Sequence, residues 1–331
     1  MIQSNFDIPL DHYDTARHDA ELASEEIVML QHVLLQEMSE VKKFDMIQVS
    51  IICKSLNMVF GRCSWGALMN YFRELEKPPQ ITILVLSLEK MLMQDLKSEL
   101  IRGAITDLLV LLSRISAVKC FSFTDQKLSG LMNRVLHSEL SVECKCRAAT
   151  ILANLTMKSL GNLTMDNIVS TLDAVSMTIR STKCTESASM KLLHQECWRF
   201  VLHLSTHEQS RRFTAGRHDI QRLLLNALLD ETCVDNRLFA TALLKKMSCD
   251  TAVAGIIIQI EEGSVVDTLK NKAWFDTDIR VRNASLSSLC QLVESRPFDL
   301  AKRPEFISFF SMAVMTVRNS LMTKSEFLFH Y

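Results

Sequence analysis

The stretch CRAATILANLT, residues 146–156, decides how the whole chain is interpreted. Its arginine, Arg147, follows an acidic residue and precedes small residues and leucines at helical spacing, and this arrangement returns at intervals of 45 residues. The anchor arginines, as we call them, are Arg102, Arg147, Arg237 and Arg282, with Leu192 at the one missed position. A helical pattern with a period of about 40–47 residues is typical of a helical-repeat solenoid.

The repeat predicts five helix pairs, in which a leading helix is followed by a helix that carries the anchor position. One pair is too small to bury its own apolar stripe, so neighbouring pairs must cover one another. The run Ile256–Ile258 favours a strand by propensity alone, but no partner strand with turn residues lies nearby, so we predict helix there. The predicted pairs are residues 80–95 with 97–117, 124–138 with 141–157, 164–180 with 186–206, 216–230 with 234–248, and 256–270 with 277–294.

The predicted fold class is all-α, a right-handed α–α superhelix of the armadillo or HEAT kind. Residues 1–19 are polar and acid-bearing and are expected to form a flexible arm. Residues 20–331 are predicted to form one repeat domain, because a solenoid uses such a length as one body. Its ends need modified helices that face water, and we assign these capping helices to residues 20–76 and 304–323.

Composition supports a helical protein. Hydrophobic residues make up 48% of the 331 residues, aromatic residues only 7%, and the apolar supply includes 17 methionines. Glycine (8) and proline (5) are scarce, which disfavours a barrel or sandwich with frequent tight turns. Long helices joined by short polar connections remain as the interpretation.

Charge and cysteine usage indicate the compartment and the class of partner. The net charge is −1, and the first 50 residues hold ten acids against three bases, so the basic excess elsewhere is mild. A nucleic-acid partner is therefore disfavoured, since phosphate contacts usually require a strongly basic face. The ten cysteines are expected to be reduced, no leader or membrane span is recognised, and we predict a cytoplasmic protein with the nucleus as the alternative.

The stretch at 146–156 resembles the last helix of an armadillo repeat, in which an alanine-rich start leads to a small residue, an asparagine and a leucine. In families such as importin-alpha and beta-catenin, that asparagine lies in the groove and bonds to the backbone of an extended peptide. The resemblance implies this role for Asn154. The corresponding positions of the other repeats hold Leu109, Arg199, Leu244 and Leu289, and Thr150 stands where the importin-like pattern has a tryptophan.

The sequence also suggests which residues contact a partner. The densest polar cluster begins with His194, Cys197 and His203 and extends into several arginines, which is compatible with an acidic partner. His203 and His207 are one helical turn apart, but no glutamate stands between them as in a zinc hydrolase, so we expect no metal. The predicted partner-binding residues are Asn154, Lys158, Arg199, His203, His207, Arg211 and Arg212.

We recognise no catalytic residues, cofactor motif or phosphate-binding loop in the sequence. The favoured hypothesis is a non-enzymatic scaffold that binds a peptide or protein along a concave groove of the following helices. One alternative is an armadillo-type regulator of another enzyme, acting in nucleotide exchange or phosphatase regulation. Another is a helical-bundle enzyme or ligand carrier. We expect the anchor arginines themselves to pair with acids of their own or a neighbouring repeat, and Asp276 to cap the last following helix.

Overall fold

The computed structural model describes residues 53–54, 103–107, 109–110, 113, 125–138, 140–159, 165–182, 187–296 and 299–300. All regular structure in these ranges is helical, and no strand occurs in them. The chain forms two compact units, Met1–Phe200 and Val201–Tyr331. The predicted arm and capping helices lie outside the described residues, apart from a helical turn at 53–54, and the single domain over 20–331 stays a prediction.

The described helices of the first unit follow the predicted pairs at 124–157 and 164–206 to within two residues, and the leading helix predicted at 80–95 lies outside the described residues. Residues 103–107, 109–110 and 113 are helical, as expected for the following helix at 97–117. The last turn of the helix at Ala188–Leu204 belongs to the second unit. The numbered helices are α1 (Asp125–His137), α2 (Val142–Ser159), α3 (Met165–Ser181) and α4 (Ala188–Leu204).

The second unit contains two successive repeats of three helices each, whereas the sequence predicted pairs. The additional helix comes first in each repeat, before the leading helix. Helices α6 and α7 confirm the pair at 216–230 and 234–248. The first repeat consists of α5 (Glu208–Gly216), α6 (His218–Leu229) and α7 (Val234–Met247), and the second of α8 (Thr251–Gln259), α9 (Ser264–Phe275) and α10 (Ile279–Ser295).

The predicted continuous helix at 256–270 is wrong. The chain leaves α8 after Gln259, forms a 3₁₀ turn, and starts α9 at Ser264. Within the turn, Glu261, Glu262 and Gly263 have left-handed backbone angles, with φ of 43°, 60° and 100°. Left-handed residues cannot continue a right-handed helix, so the chain changes direction there. The helical prediction for Ile256–Ile258 itself is confirmed, since these residues lie in α8.

Helix α5 was missed because it has no apolar stripe to recognise. The residues it buries are Ser210, Thr214 and Ala215, all of which are small. Periodicity detects a helix by its large hydrophobic side chains, and this helix packs closely without them. Its partner α8 buries larger residues, Val253 and Ile257 among them.

Equivalent helices of successive repeats pack against each other in the second unit. Helix α5 contacts α8, α6 contacts α9, and α7 contacts α10, while α7 and α10 also pack on the leading helices of their own repeats. Leu244 of α7 and Leu289 of α10 are fully buried at equivalent positions, 45 residues apart. Each repeat therefore obtains part of its apolar cover from the next, as the sequence predicted.

The anchor arginines tie repeats together. In the first unit, Arg147 forms two hydrogen bonds with the carboxylate of Asp107, which lies 40 residues earlier. In the second unit, Arg237 Nη2 donates to Asp276 Oδ1 at 3.0 Å, and its Nε lies 2.8 Å from Oδ2. The expected pairing with acids is thus confirmed for these two arginines, and Arg102 lies outside the described residues.

A second contact of the anchors is repeated within each repeat of the second unit. Arg237 Nη1 donates to the carbonyl of Asp230 at 2.7 Å, and Arg282 Nη1 donates to the carbonyl of Asp276 at 3.0 Å. Both carbonyls lie in the connection between leading and following helix, so the arginine fixes that turn. The prediction that Asp276 caps α10 is wrong. Asp278 is the capping residue, since its side chain accepts the N–H of Arg280, whereas the Asp276 carboxylate pairs with Arg237.

We expect the protein to lose stability in acid because its paired aspartates must be protonated. Burial raises the pKa of the Asp276 carboxyl, but hydrogen bonds from the Asp278 N–H and from Arg237 outweigh burial and hold the pKa below its ordinary value. The hydrogen bond from Arg280 lowers the pKa of Asp278 to about 2. An unfolded aspartate has a pKa of about 3.9, so the unfolded chain binds more protons below that pH.

The free energy of unfolding should therefore be constant above about pH 5 and fall steadily as the pH is lowered through 4 and 3. Urea unfolding of the full chain at several pH values measures this dependence. In the Asp276→Asn variant the stability at pH 7 should be lower and the loss between pH 5 and pH 3 smaller. A pH profile that is flat over this range would contradict the account.

Candidate partner-binding site

Asn154 lies on α2 and is buried, with 5% of its surface exposed. Its Nδ2 donates to Ser113 Oγ at 2.9 Å, and its Oδ1 accepts a hydrogen bond from Arg199 Nη2 at 2.9 Å. Ser113 and Arg199 stand 41 and 45 residues away, so the amide links three successive following helices. Both ends of the Asn154 amide are used inside the protein, and the amide holds Arg199 in position.

Arg199 projects from α4 towards α2. Besides its bond to Asn154, its Nη2 lies 3.5 Å from the carbonyl of Thr150 and 2.5 Å from Glu196 Oε2 on the same helix. About a third of the Arg199 side chain, 35%, nevertheless remains exposed. The guanidinium is thus held by these partners while part of the side chain remains exposed.

The exposed surface around Arg199 includes an apolar side chain. Leu192 stands seven residues earlier on α4, on the same face of the helix, and is 47% exposed. It occupies the position where the other repeats carry their anchor arginine. We call Leu192, Glu196 and Arg199 together the α4 face.

The side of α4 opposite to the α4 face packs into the core. Its buried residues recur at helical spacing and form an apolar stripe that packs into the core. Trp198 is the largest of them and is almost fully buried. The buried residues of α4 within the first unit are Leu193, His194, Cys197, Trp198 and Phe200.

The polar cluster predicted around residue 200 is divided by the fold. His194 is buried, and its Nε2 lies 3.0 Å from each of the carbonyls of Ile179 and Thr182, while Cys197 is also buried. His203 is half-buried in the last turn of α4, and His207 is exposed just before α5. Since α4 ends at Leu204, the two histidines do not share one helix face. The described residues contain no group of three metal-ligating side chains.

The remaining predicted residues lie at helix ends. Lys158 is in the last turn of α2, and its side chain falls outside the described part of the structure. In the second unit, Arg211 donates from Nε to the carbonyl of Ser205 at 2.9 Å, just beyond α4. Arg212 forms ion pairs with Glu208 at 2.8 Å and with Asp250 at 2.9 Å.

The cysteines of the described ranges are all free thiols. Burial raises the pKa of Cys146 to about 11 and that of Cys53 to about 12, and it also raises the pKa of Cys197. A thiol must ionise before it attacks an electrophile, so these buried cysteines are core residues without nucleophilic character.

Replacing Asn154 by leucine should lower the free energy of unfolding by about 1–2 kcal/mol, because Ser113 and Arg199 each lose a buried partner. The side chain of Arg199 should also become more mobile, which NMR relaxation of its Nε–H group measures. Asn283→Leu is the matched control, since Asn283 is exposed on α10. Equal losses of stability in the two variants would contradict the assigned role of Asn154.

No protein-family model matches the chain, and no curated protein matches it. Within the described residues, no helix is both long and apolar enough to cross a membrane. Solved structures do match. A designed armadillo repeat protein in complex with the peptide (KR)4 is 13% identical with a TM-score of 0.55, and the match covers 78% of this chain and 99% of that one.

Two further solved structures resemble the chain to the same degree. Another designed armadillo repeat protein is 12% identical with a TM-score of 0.56, covering 78% of this chain and 99% of its own. An engineered protein is 14% identical with a TM-score of 0.55, covering 79% of this chain and 97% of its own. Identities this low show the fold alone. The fold is therefore an all-α superhelix of the armadillo type, which confirms the fold class predicted from the 45-residue interval.

Proposed function

We propose that this protein is a non-enzymatic scaffold that binds an extended peptide or the surface of another protein on its following helices. Its fold is that of designed repeat proteins, one of which was solved with a bound peptide. Repeat proteins of this kind offer extended surfaces built from equivalent helices.

The observation that carries the proposal is the position of Arg199. Its guanidinium is held by Asn154 and Glu196, while 35% of the side chain is exposed on the same helix face as the exposed Leu192. Arginine is enriched at the centres of protein interfaces. Because the arginine is already held in place, binding costs less side-chain entropy than it would for a free arginine.

The predicted residues take different parts in this proposal. Arg199 contacts the partner directly, together with Lys158 at the end of α2, and Asn154 acts as a positioning residue behind Arg199. In the second unit, His203, His207, Arg211 and Arg212 are the proposed partner contacts.

Affinity capture from a native extract with the full chain as bait tests the proposal. The Arg199→Glu variant should lose specific partners by about tenfold or more, since reversing a fixed interface charge typically costs several kcal/mol. Arg180→Glu is the matched control, because Arg180 is exposed on the leading helix α3. Both variants should keep the helicity of the wild type by circular dichroism. If Arg199→Glu and Arg180→Glu retain the same partners, the α4 face does not bind them.

A further inference from the structure

A pocket of about 600 Å³ lies in the second unit, where the first helices of the two repeats, α5 and α8, pack against each other. Three arginines line this pocket, and two acids and an exposed cysteine lie among them. None of these residues belongs to the α4 face, but Arg211 and Arg212 are also proposed partner contacts, so a phosphorylated protein as ligand would rest on the proposed function. The side chains that matter are Arg211, Arg212, Arg296, Glu208, Asp250 and Cys249.

Two of the arginines donate hydrogen bonds to backbone carbonyls. Arg211 donates from Nε to the Ser205 carbonyl at 2.9 Å and from Nη2 to the Thr206 carbonyl at 3.3 Å. No carboxylate among the described residues forms an ion pair with Arg211. Arg296 Nε donates to the Thr251 carbonyl at 2.7 Å, and its Nη1 reaches Asp299 only at 3.4 Å. Backbone carbonyls thus orient both guanidinium groups, and Asp299 neutralises part of the charge of Arg296 through the longer contact.

The two acids in the pocket both pair with the third arginine, Arg212, and one of them also caps α8. Asp250 accepts the N–H groups of Ala252 and Val253 at the start of α8 and also pairs with Arg212. Glu208 pairs with the same arginine. Neither acid forms an ion pair with Arg211 or Arg296. Among the described residues, Arg211 therefore has no carboxylate partner, and Arg296 has the 3.4 Å contact with Asp299.

Gly255 lets Arg296 lie across α8. A Cβ atom at this position would stand 2.9 Å from Arg296 Nη2, which is closer than real Cβ contacts allow. The absence of a side chain on α8 therefore makes room for the guanidinium at the pocket. The position of Arg296 is built into two helices, α8 and the end of α10.

We propose that this pocket binds a phosphate monoester group, held between Arg211 and Arg296. Guanidinium groups bind phosphate oxygens through paired hydrogen bonds. A phosphate monoester carries a charge of about −1.5 to −2 at pH 7 and has three acceptor oxygens, so it can bond to two arginines from two sides. A carboxylate has one charge and two oxygens and satisfies such a pair less well. The group can come from a small phosphate ester or from a phosphorylated side chain of a protein.

The reactivity of Cys249 reports occupancy of the pocket. Cys249 lines the pocket and is exposed, whereas Cys290 is exposed in the same unit but lies outside the lining. The full chain is alkylated with iodoacetamide, and the rates at the two cysteines are resolved by peptide mass spectrometry. The probes are O-phosphoserine and a phosphoserine peptide, each compared with sodium chloride and with acetate at matched ionic strength.

Occupancy should slow the reaction of Cys249 saturably, by about tenfold at a probe concentration ten times the dissociation constant, because only the free fraction reacts. The rate at Cys290 should not change. Protection by O-phosphoserine indicates a small ester as a sufficient ligand, and protection by the peptide alone indicates a phosphorylated protein.

Arg296→Gln should abolish the protection of Cys249, and Arg211→Gln should do the same. Arg222→Gln is the matched control, since Arg222 is exposed on α6 away from the pocket, and it should keep the protection. Because Arg211 also holds the end of α4, Arg296→Gln decides the outcome if Arg211→Gln is poorly folded. Unchanged Cys249 rates with both probes, parallel slowing at Cys290, equal protection by acetate, or full protection in Arg296→Gln would each overturn the proposal.

Discussion

Replacing Arg237 by leucine is expected to lower the free energy of unfolding by about 3–5 kcal/mol, since the variant leaves a buried carboxylate without its main partner. The side chains of Arg237 and Asp276 are only 3% and 1% exposed. Arg237 also holds the turn at Asp230, so both connections are lost together. Lys272, 3.6 Å from Asp276, compensates only part of the charge.

Arg280→Leu is the matched control for this prediction. Its ion pair with Asp278 lies at the surface, where water screens the attraction, so only a small loss of stability is expected. Urea unfolding of the full chain, with hydrogen exchange to localise the change to α7 and α10, compares the two variants. Adding Asp276→Ala to Arg237→Leu should recover part of the stability, because the buried charge is then removed. Similar small losses in Arg237→Leu and Arg280→Leu would show that the buried pair does not join the repeats.

Leu244→Asn is the second substitution with a large expected effect, about 3–5 kcal/mol of lost stability. Leu244 is fully buried and occupies the position in its repeat that Asn154 occupies in its own. The variant loses the burial of an apolar side chain, about 1.5–3 kcal/mol, and buries an amide that lacks partners, about 1–3 kcal/mol. Leu289 follows Leu244 by 45 residues, as Arg199 follows Asn154, and it is also buried. The next repeat therefore supplies a leucine and no guanidinium to bond the new amide.

Leu229→Asn is the control, because Leu229 is 52% exposed at the end of α6. Its effect on the free energy of unfolding should remain within about 0.5 kcal/mol. A small effect of Leu244→Asn would mean that the core between α7 and α10 accepts an asparagine. The buried leucines at this position would then not be what separates these two repeats from the repeat that contains Asn154.

Most of the following helices were predictable from the sequence because they share one physical requirement, although α4 has Leu192 at the anchor position. The arginine near the start of such a helix must reach a turn carbonyl or a carboxylate of a neighbouring repeat, as Arg147 and Arg237 do. The arginines recur at an interval of 45 residues, so their positions can be read from spacing alone, although Arg147 pairs with an acid 40 residues earlier and Arg237 with one 39 residues later. Buried leucines such as Leu244 and Leu289 then follow at helical positions.

Other features could not be predicted because they depend on small residues or on distant contacts. Helix α5 buries only small side chains, and the turn at Glu261 and Glu262 follows no common turn signal. The resemblance implied that Asn154 lies in a partner-binding groove, but nothing in the residue spacing indicated that Arg199 would reach across 45 residues and bond its amide. The pocket near Arg296 likewise depends on the room that Gly255 leaves.

Site-specific photocrosslinking tests most directly whether the following helices bind a partner. A benzophenone amino acid is placed in the full chain at Leu192, on the α4 face, or at Met177, on the leading helix α3. The native residues are exposed to a similar degree, 47% and 57%. After irradiation in native extract, the account predicts discrete crosslinked proteins from Leu192, lost in the Arg199→Glu background, and none of the same species from Met177. Crosslinking of the same proteins from Met177 with equal yield, or yields from Leu192 that do not depend on Arg199, would contradict it.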